Sequence, residues 1–360
     1  MWSRAGRFVK LAVVVAVVLA VTESALRIPA VAAAIPESGL YYASAVQARI
    51  DRIRALAADG TSVDALFVGN SVVATNISPA IVDGDLAEAG LSVTSFDLGL
   101  PPGLTIDPLR VQLDRLWLRE TQPRVVVFAV RYVDFVDPVA AADSAIFTSG
   151  RIESRWVDTS LRSRIELLLI DNSALLRRAG ALAGFLTNHD EEGGAGGGDG
   201  GGFPVDPRGH QPRYGTVDEN VATYGIADTP GGSIASDGYD MPIDPASYES
   251  GLAMLRETHA LVEARGARFV LLNMPEHPQK FLAGQDGAER YASYLDALSS
   301  FADTEGIVLL DPSQGSLESW SDAGLFFDFH HLNAGGAEVM SHAIAELLLA
   351  AGVFDAGEGS

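Results

Sequence analysis

Five short stretches of the chain are predominantly apolar, and helical patterns separate them. They are ALFVG at 65–69, LSVTSFDL at 91–98, RVVVFAV at 124–130, RFVLLN at 268–273 and GIVLLD at 306–311. Near-continuous apolarity of this length marks strands covered on both faces, the signature of a parallel sheet. Between them, apolar residues recur at helical spacing. Val46, Ile50, Ile53 and Leu56 share one side of 42–58, with Gln47, Arg49, Asp51 and Arg52 elsewhere, and Leu109, Leu113 and Leu116 form a ridge in 107–120. Ser78 followed by Pro79 opens another helix, and further helical patterns cover 246–264 and 288–304. A last helix starts at Asn333, a good N-cap, and carries Val339, Ala343 and Leu347 on its expected buried stripe. Strands alternating with helices predict an α/β fold with a doubly wound, five-stranded parallel sheet.

The alternation stops at about 137 and resumes at about 245. The intervening insertion holds one helical pattern, at 163–186, and then a glycine-rich stretch at 189–203 that can contribute no core. That stretch lacks the aspartate periodicity of a calcium-binding glycine repeat, so a flexible loop is expected.

At the other end, Arg4, Arg7 and Lys10 flank an apolar run at 11–21, extendable to 8–26, with Glu23 and Arg27 spaced to pair on one helix face. An uncleaved membrane anchor is the favoured reading. The alternative is a signal segment cleaved near Ala32-Ala33-Ala34. Either way the basic flank stays inside and the remainder is exported. The expected organisation is therefore an anchor or signal segment over 1–36 and one domain over 37–360 that carries the insertion.

Composition narrows the function. With 360 residues, 48% of them hydrophobic, the chain can bury a large core, and a formal charge of −22 argues against nucleic acid and anionic membrane surfaces as partners. The absence of cysteine removes disulfides, thiolate metal sites and a cysteine nucleophile. No metal signature is present, since His189, Asp190 and His210 lack ligand spacing, and no cofactor is expected.

Candidate chemistry gathers at the carboxyl ends of the strands, the edge where open α/β sheets bind ligands. Ser71 follows the first strand in the turn Gly69-Asn70-Ser71, and Asp328 and His331 stand in DFHHLNAG just before the last helix. A serine nucleophile needs a base, a carboxylate to orient that base, and donors for the oxyanion. Ser71, His331 and Asp328 fit the first three roles, with His330 as the competing histidine. Donors would be the backbone N–H groups of Ser71 and Gly103 and the side-chain amide of Asn273. Asn70, Gly99 and His277 are candidate substrate contacts. For His277, with Glu276 between Pro275 and Pro278, a rigid surface turn is an equal alternative.

These blocks resemble, in order and rough spacing, those of the SGNH (GDSL-like) hydrolases, over about 65–349. The resemblance implies a flavodoxin-like three-layer α/β/α sandwich and a metal-free serine esterase or acyltransferase. Ser71 matches the nucleophile, Gly103 or Gly99 the glycine, Asn273 the asparagine, and Asp328 and His331 the acid and base. Asn70 departs from the aspartate usual before the serine, and the glycine loop carries an extra proline. The ending DFHHLNAG looks like that of membrane-anchored SGNH proteins and of SGNH domains acting in O-acetylation of cell-surface polysaccharides. The expected substrate is therefore an acylated envelope carbohydrate. Alternatives are an O-acyltransferase working with a multi-span membrane protein that supplies the acyl donor, and a non-catalytic glycan-binding module of the same fold.

Overall fold

The computed structural model describes residues 2–28, 31, 40–100, 105–138, 206–217, 242–282 and 286–354, with isolated positions between 161 and 176. Gly103, most of the 163–186 pattern, and the glycine-rich stretch lie outside the described residues. The chain divides into two compact units, Met1–Ser44 with Ala145–Gly202, and Ala45–Ser144 with Phe203–Ser360.

In the first unit, helix α1 (Trp2–Leu26) carries Val13, Val14, Val15, Val17, Val18, Leu19 and Val21 as exposed apolar residues. Among the described residues no helix is long and apolar enough to cross a membrane, and the side chains of 2–12 lie outside them. Glu23 pairs with Arg27 at 2.8 Å, as its spacing predicts. It also accepts the backbone N–H groups of Leu175 and Ala174 and the Ser173 hydroxyl. Those backbone bonds do most to hold its carboxyl down at about 2.

The second unit is an α/β sandwich. In chain order its elements are α2 (Leu40–Ala58, from residue 45 onward), β1 (Ala65–Val68), α3 (Ser71–Asn76), α4 (Pro79–Glu88), β2 (Ser95–Asp97) and α5 (Ile106–Gln112, extended by a π turn). They continue with β3 (Val125–Val130), α6 (Pro245–Ala264), β4 (Arg268–Asn273), α7 (Gly287–Glu305), β5 (Val308–Leu310) and α8 (Ala334–Ala350). The five strands form one sheet in the order β2-β1-β3-β4-β5, and every pairing is parallel. Every residue of β1 and β3 is buried, as required of strands covered on both faces. The order turns between β1 and β3, so the chain leaves these neighbours in different directions and opens a crevice at their carboxyl ends.

Three local expectations shift. Arg49 is fully buried between Val46 and Ile50. Its guanidinium donates to the Gly209 carbonyl at 3.4 Å, and its charge pulls the buried Asp97 carboxyl down against the effect of burial. The buried stripe of α8 is Ala337, Met340, Ser341, Ile344, Ala345 and Leu348, while Val339 is 46% exposed. The helix is turned because Gly336 sits against the Leu325 carbonyl, where an added Cβ would come within 2.1 Å. Ser78 precedes α4 without a side-chain capping bond; its N–H donates instead to Ser341 Oγ on α8 at 2.8 Å.

Candidate active site

β1 ends at Val68, and after Gly69 and Asn70 the chain turns at once into α3, so that Ser71 is the first residue of a helix six residues long. Asn70 is the N-cap. Its Oδ1 accepts the Val72 N–H at 3.1 Å, and its Nδ2 faces Asp134 Oδ1 at 3.4 Å. Asn70 is thus buried at the Ser71 turn, with its amide nitrogen facing the loop after β3. The Ser71 N–H takes no hydrogen bond among the described residues.

The last helix begins at Ala334, capped by Asn333, whose Oδ1 accepts the Gly336 N–H at 3.0 Å. The loop ahead of it is closed by an antiparallel bridge between Phe326 and Leu332 and by the Phe327 N–H bound to the His331 carbonyl at 2.8 Å. Inside this loop Asp328 Oδ1 accepts the backbone N–H groups of His330 and His331, each at 2.7 Å. The same carboxylate receives His331 Nδ1, at 3.0 Å from Oδ1 and 2.9 Å from Oδ2. His331 Nε2 then lies 2.9 Å from Ser71 Oγ. Ser71, His331 and Asp328 are therefore brought together in one hydrogen-bonded line, from opposite ends of the chain.

The electrostatics suit proton transfer. Burial alone would push the Asp328 carboxyl up. The charge of His331, the hydrogen bond to it and the nearby His330 outweigh burial and hold the group well below the usual carboxylate range. An ionised Asp328 is acceptor only, so it fixes the proton of a neutral imidazole on Nδ1 and leaves Nε2 to accept from the serine hydroxyl. His330 contributes its backbone N–H to Asp328 rather than its ring to Ser71; the two imidazole centroids stand 6.1 Å apart.

Gly99 follows β2, next to β1 in the sheet. A Cβ there would lie 2.1 Å from the backbone nitrogen of Ala74 on α3, so only glycine admits this approach. Its N–H donates to Asp97 Oδ1 at 2.5 Å. Burial raises the Asp97 carboxyl to about 8, with Arg49 working in the opposite direction.

Asn273 is not brought to the serine. It closes β4, on the far side of β3 from β1, and is fully buried. Its Nδ2 points to Asp311 Oδ1 at 3.0 Å and Tyr291 Oη at 3.3 Å, and its Oδ1 accepts from Tyr294 Oη at 3.0 Å. Its amide is held by α7 and the loop after β5, which it ties together. The His277 ring meets Phe326 and Phe329 edge-on at 4.8 and 5.4 Å, and its Nδ1 accepts the Gln279 N–H. The flanking prolines suggested a surface turn, yet the ring is 3% exposed.

Residues that the sequence pattern did not single out stand beside the line. Asp134 accepts the Arg131 N–H and guanidinium as well as the Asn70 amide, joining the β3 loop to the nucleophile turn. Asn76, buried at the far end of α3, accepts the Leu332 N–H at 2.9 Å. The ties from Asp134 to Asn70 and from Asn76 to Leu332 have no signal in one sequence, because those partners are distant along the chain. No group of three His, Cys, Asp or Glu side chains is placed to hold a metal ion among the described residues.

No protein-family profile and no curated protein matches the chain. Among solved structures it is similar to an acetyl xylan esterase, at 12% identity and a TM-score of 0.39, over 80% of this chain and 99% of that one. It is also similar to a Bacteroides fragilis protein provisionally described as an acylhydrolase, at 12% identity and a TM-score of 0.37, over 82% and 92% of the respective chains.

Proposed function

We propose that this is an exported serine enzyme of the SGNH type that removes or transfers an acyl group, most simply acetyl, on an envelope carbohydrate. The observation that carries the reading is the line from Asp328 through both imidazole nitrogens of His331 to Ser71 Oγ, with no contact in it longer than 3.0 Å. In the first step Ser71 Oγ attacks the ester carbonyl while His331 Nε2 takes the hydroxyl proton. The carbonyl oxygen gains the negative charge, for which the Ser71 N–H is the available backbone donor. Collapse expels the alcohol, which receives the proton from His331, and leaves an acyl-serine. Water or a sugar hydroxyl then attacks that ester by the reverse proton path, and Ser71 is regenerated. Hydrolysis and transfer differ only in this second nucleophile, so the acyltransferase working with a membrane donor protein shares the same residues. The export part of the reading rests on Arg4, Arg7 and Lys10 in the first turns of α1 and on the exposed valines that follow them.

Purified protein is expected to release 4-nitrophenol from 4-nitrophenyl acetate. Intact cells displaying it should release acetate from an added acetylated oligosaccharide, or move acetyl to an unacetylated one. Protein that does neither contradicts the proposal.

A further inference from the structure

Helix α3 is too short to hold its own conformation, since isolated helices need roughly a dozen residues or more. Yet it must hold Ser71 within hydrogen-bonding reach of a loop from the other end of the chain. What fixes it lies at its last residue. We infer that Asn76 is a positioning residue that sets the register between Ser71 and His331, an inference that rests on the serine reading above.

Asn76 is fully buried, as is Leu332, the residue that follows His331. Asn76 Oδ1 accepts the Leu332 N–H at 2.9 Å and the Thr75 hydroxyl at 2.7 Å. The helix therefore touches the histidine loop twice, through Ser71 Oγ at its first residue and through Asn76 at its last. At about 1.5 Å of rise per residue these points are separated by most of the helix length, so together they resist both sliding and rotation. One contact alone would leave the hydroxyl free to swing.

The carboxyl end of α3 is braced by a further segment as well. The segment 206–217, which returns from the insertion, donates the Gln211 N–H to the Ala74 carbonyl at 2.7 Å and presents His210 Nε2 to the Thr75 carbonyl at 3.1 Å. These are carbonyls that the end of a short helix leaves without an intrahelical partner. The same segment accepts the Ala334 N–H at the Arg213 carbonyl, 2.7 Å away, and so also grips the start of α8. Gly209, at φ +97°, lets it lie against the Asp97 carbonyl, where a Cβ would fall 2.1 Å away. While this segment holds the helix carbonyls, Asn76 is the side chain that joins the last residue of the helix to the loop.

Asn76 Nδ2 finds no hydrogen-bond partner among the described residues, so only its oxygen is used. This gives a test that separates positioning from bulk. In Asn76→Ala the acceptor is lost, and kcat on 4-nitrophenyl acetate is expected to fall about 10- to 100-fold with KM within about twofold, as for a small misplacement of a reacting group. The rate at which a fluorophosphonate labels Ser71 should fall by the same factor. Asn76→Asp, which keeps the oxygen facing Leu332, is expected to recover to within about fivefold of the parent rate. Should Asn76→Ala fail to fold, Thr75→Val removes the hydroxyl that faces Asn76 Oδ1 at 2.7 Å and the Ser71 carbonyl at 3.1 Å, and is expected to lower kcat about threefold or more, again with KM unchanged. Folded Asn76→Ala or Thr75→Val protein at the full parental rate, or Asn76→Asp as slow as Asn76→Ala, overturns the inference. A parent protein that neither turns over esters nor takes the label would instead sink the serine reading itself.

Discussion

Ser71→Ala protein is expected to lose at least about 10³-fold in kcat on 4-nitrophenyl acetate while keeping its melting temperature within about 2 °C. The loss is large because, among the described residues, no other hydroxyl stands at His331 Nε2: Ser71 Oγ occupies it at 2.9 Å. Without the nucleophile the imidazole can at best activate water, and the intermediate acyl-serine disappears. Stability is spared because the turn does not depend on this side chain. Asn70 caps α3, and Thr75 meets the Ser71 carbonyl and not its hydroxyl. Steady-state kinetics beside a thermal melt reads both quantities. Activity indifferent to the substitution would remove Ser71 from the chemistry.

Asp328→Asn should cost nearly as much, about 10³- to 10⁴-fold in kcat, by a different route. The carboxylate accepts two backbone N–H groups and His331 Nδ1. In the amide, the oxygen is retained by the backbone pair and the NH2 group turns toward Nδ1, where only an acceptor nitrogen fits. The imidazole proton then moves to Nε2, which points at Ser71 and can no longer take the hydroxyl proton. The pH dependence follows with a definite sign. The Asp328 carboxyl is held below its unfolded value, so the stability it contributes is fully present above the ordinary carboxylate pKa near 4 and is lost as pH falls through the lower folded value. Asp328 therefore stays ionised at neutral pH, and any loss of activity on mild acidification belongs to another group. The Asp328→Asn variant should be slow across the whole range, with no pH at which the parental rate returns.

Much of this arrangement was legible in the sequence, and the reason is local. Buried parallel strands leave unbroken apolar runs, so all five were visible, although β2 and β5 shrank to Ser95–Asp97 and Val308–Leu310. Ser71 stands on a glycine-preceded turn at a strand end, and Asp328 needs only three residues to reach His331. What stayed hidden depends on partners far along the chain. Asn273 looked like a strand-ending donor, but Tyr291 and Tyr294 on α7 claim its amide. Asn76 reads as an ordinary residue of a Val-Val-Ala-Thr-Asn run until Leu332 is beside it. Arg49 stands among the polar positions of its helix pattern, and the groups that meet it in the interior, the Gly209 carbonyl and Asp97, lie on other elements. The face of α8 departs from its apolar pattern at the close fit of Gly336 against the Leu325 carbonyl, a contact that no periodicity records.

The central claim is that Ser71 is an activated nucleophile. A fluorophosphonate incubated with the native protein, followed by proteolysis and mass measurement of the peptide containing Ser71, tests it most directly. The account predicts one phosphonyl adduct per chain on Ser71, formed slowly or not at all in Asp328→Asn protein. Labelling elsewhere with Ser71 unmodified, or labelling of Ser71 that is as fast in Asp328→Asn as in the parent, would contradict it.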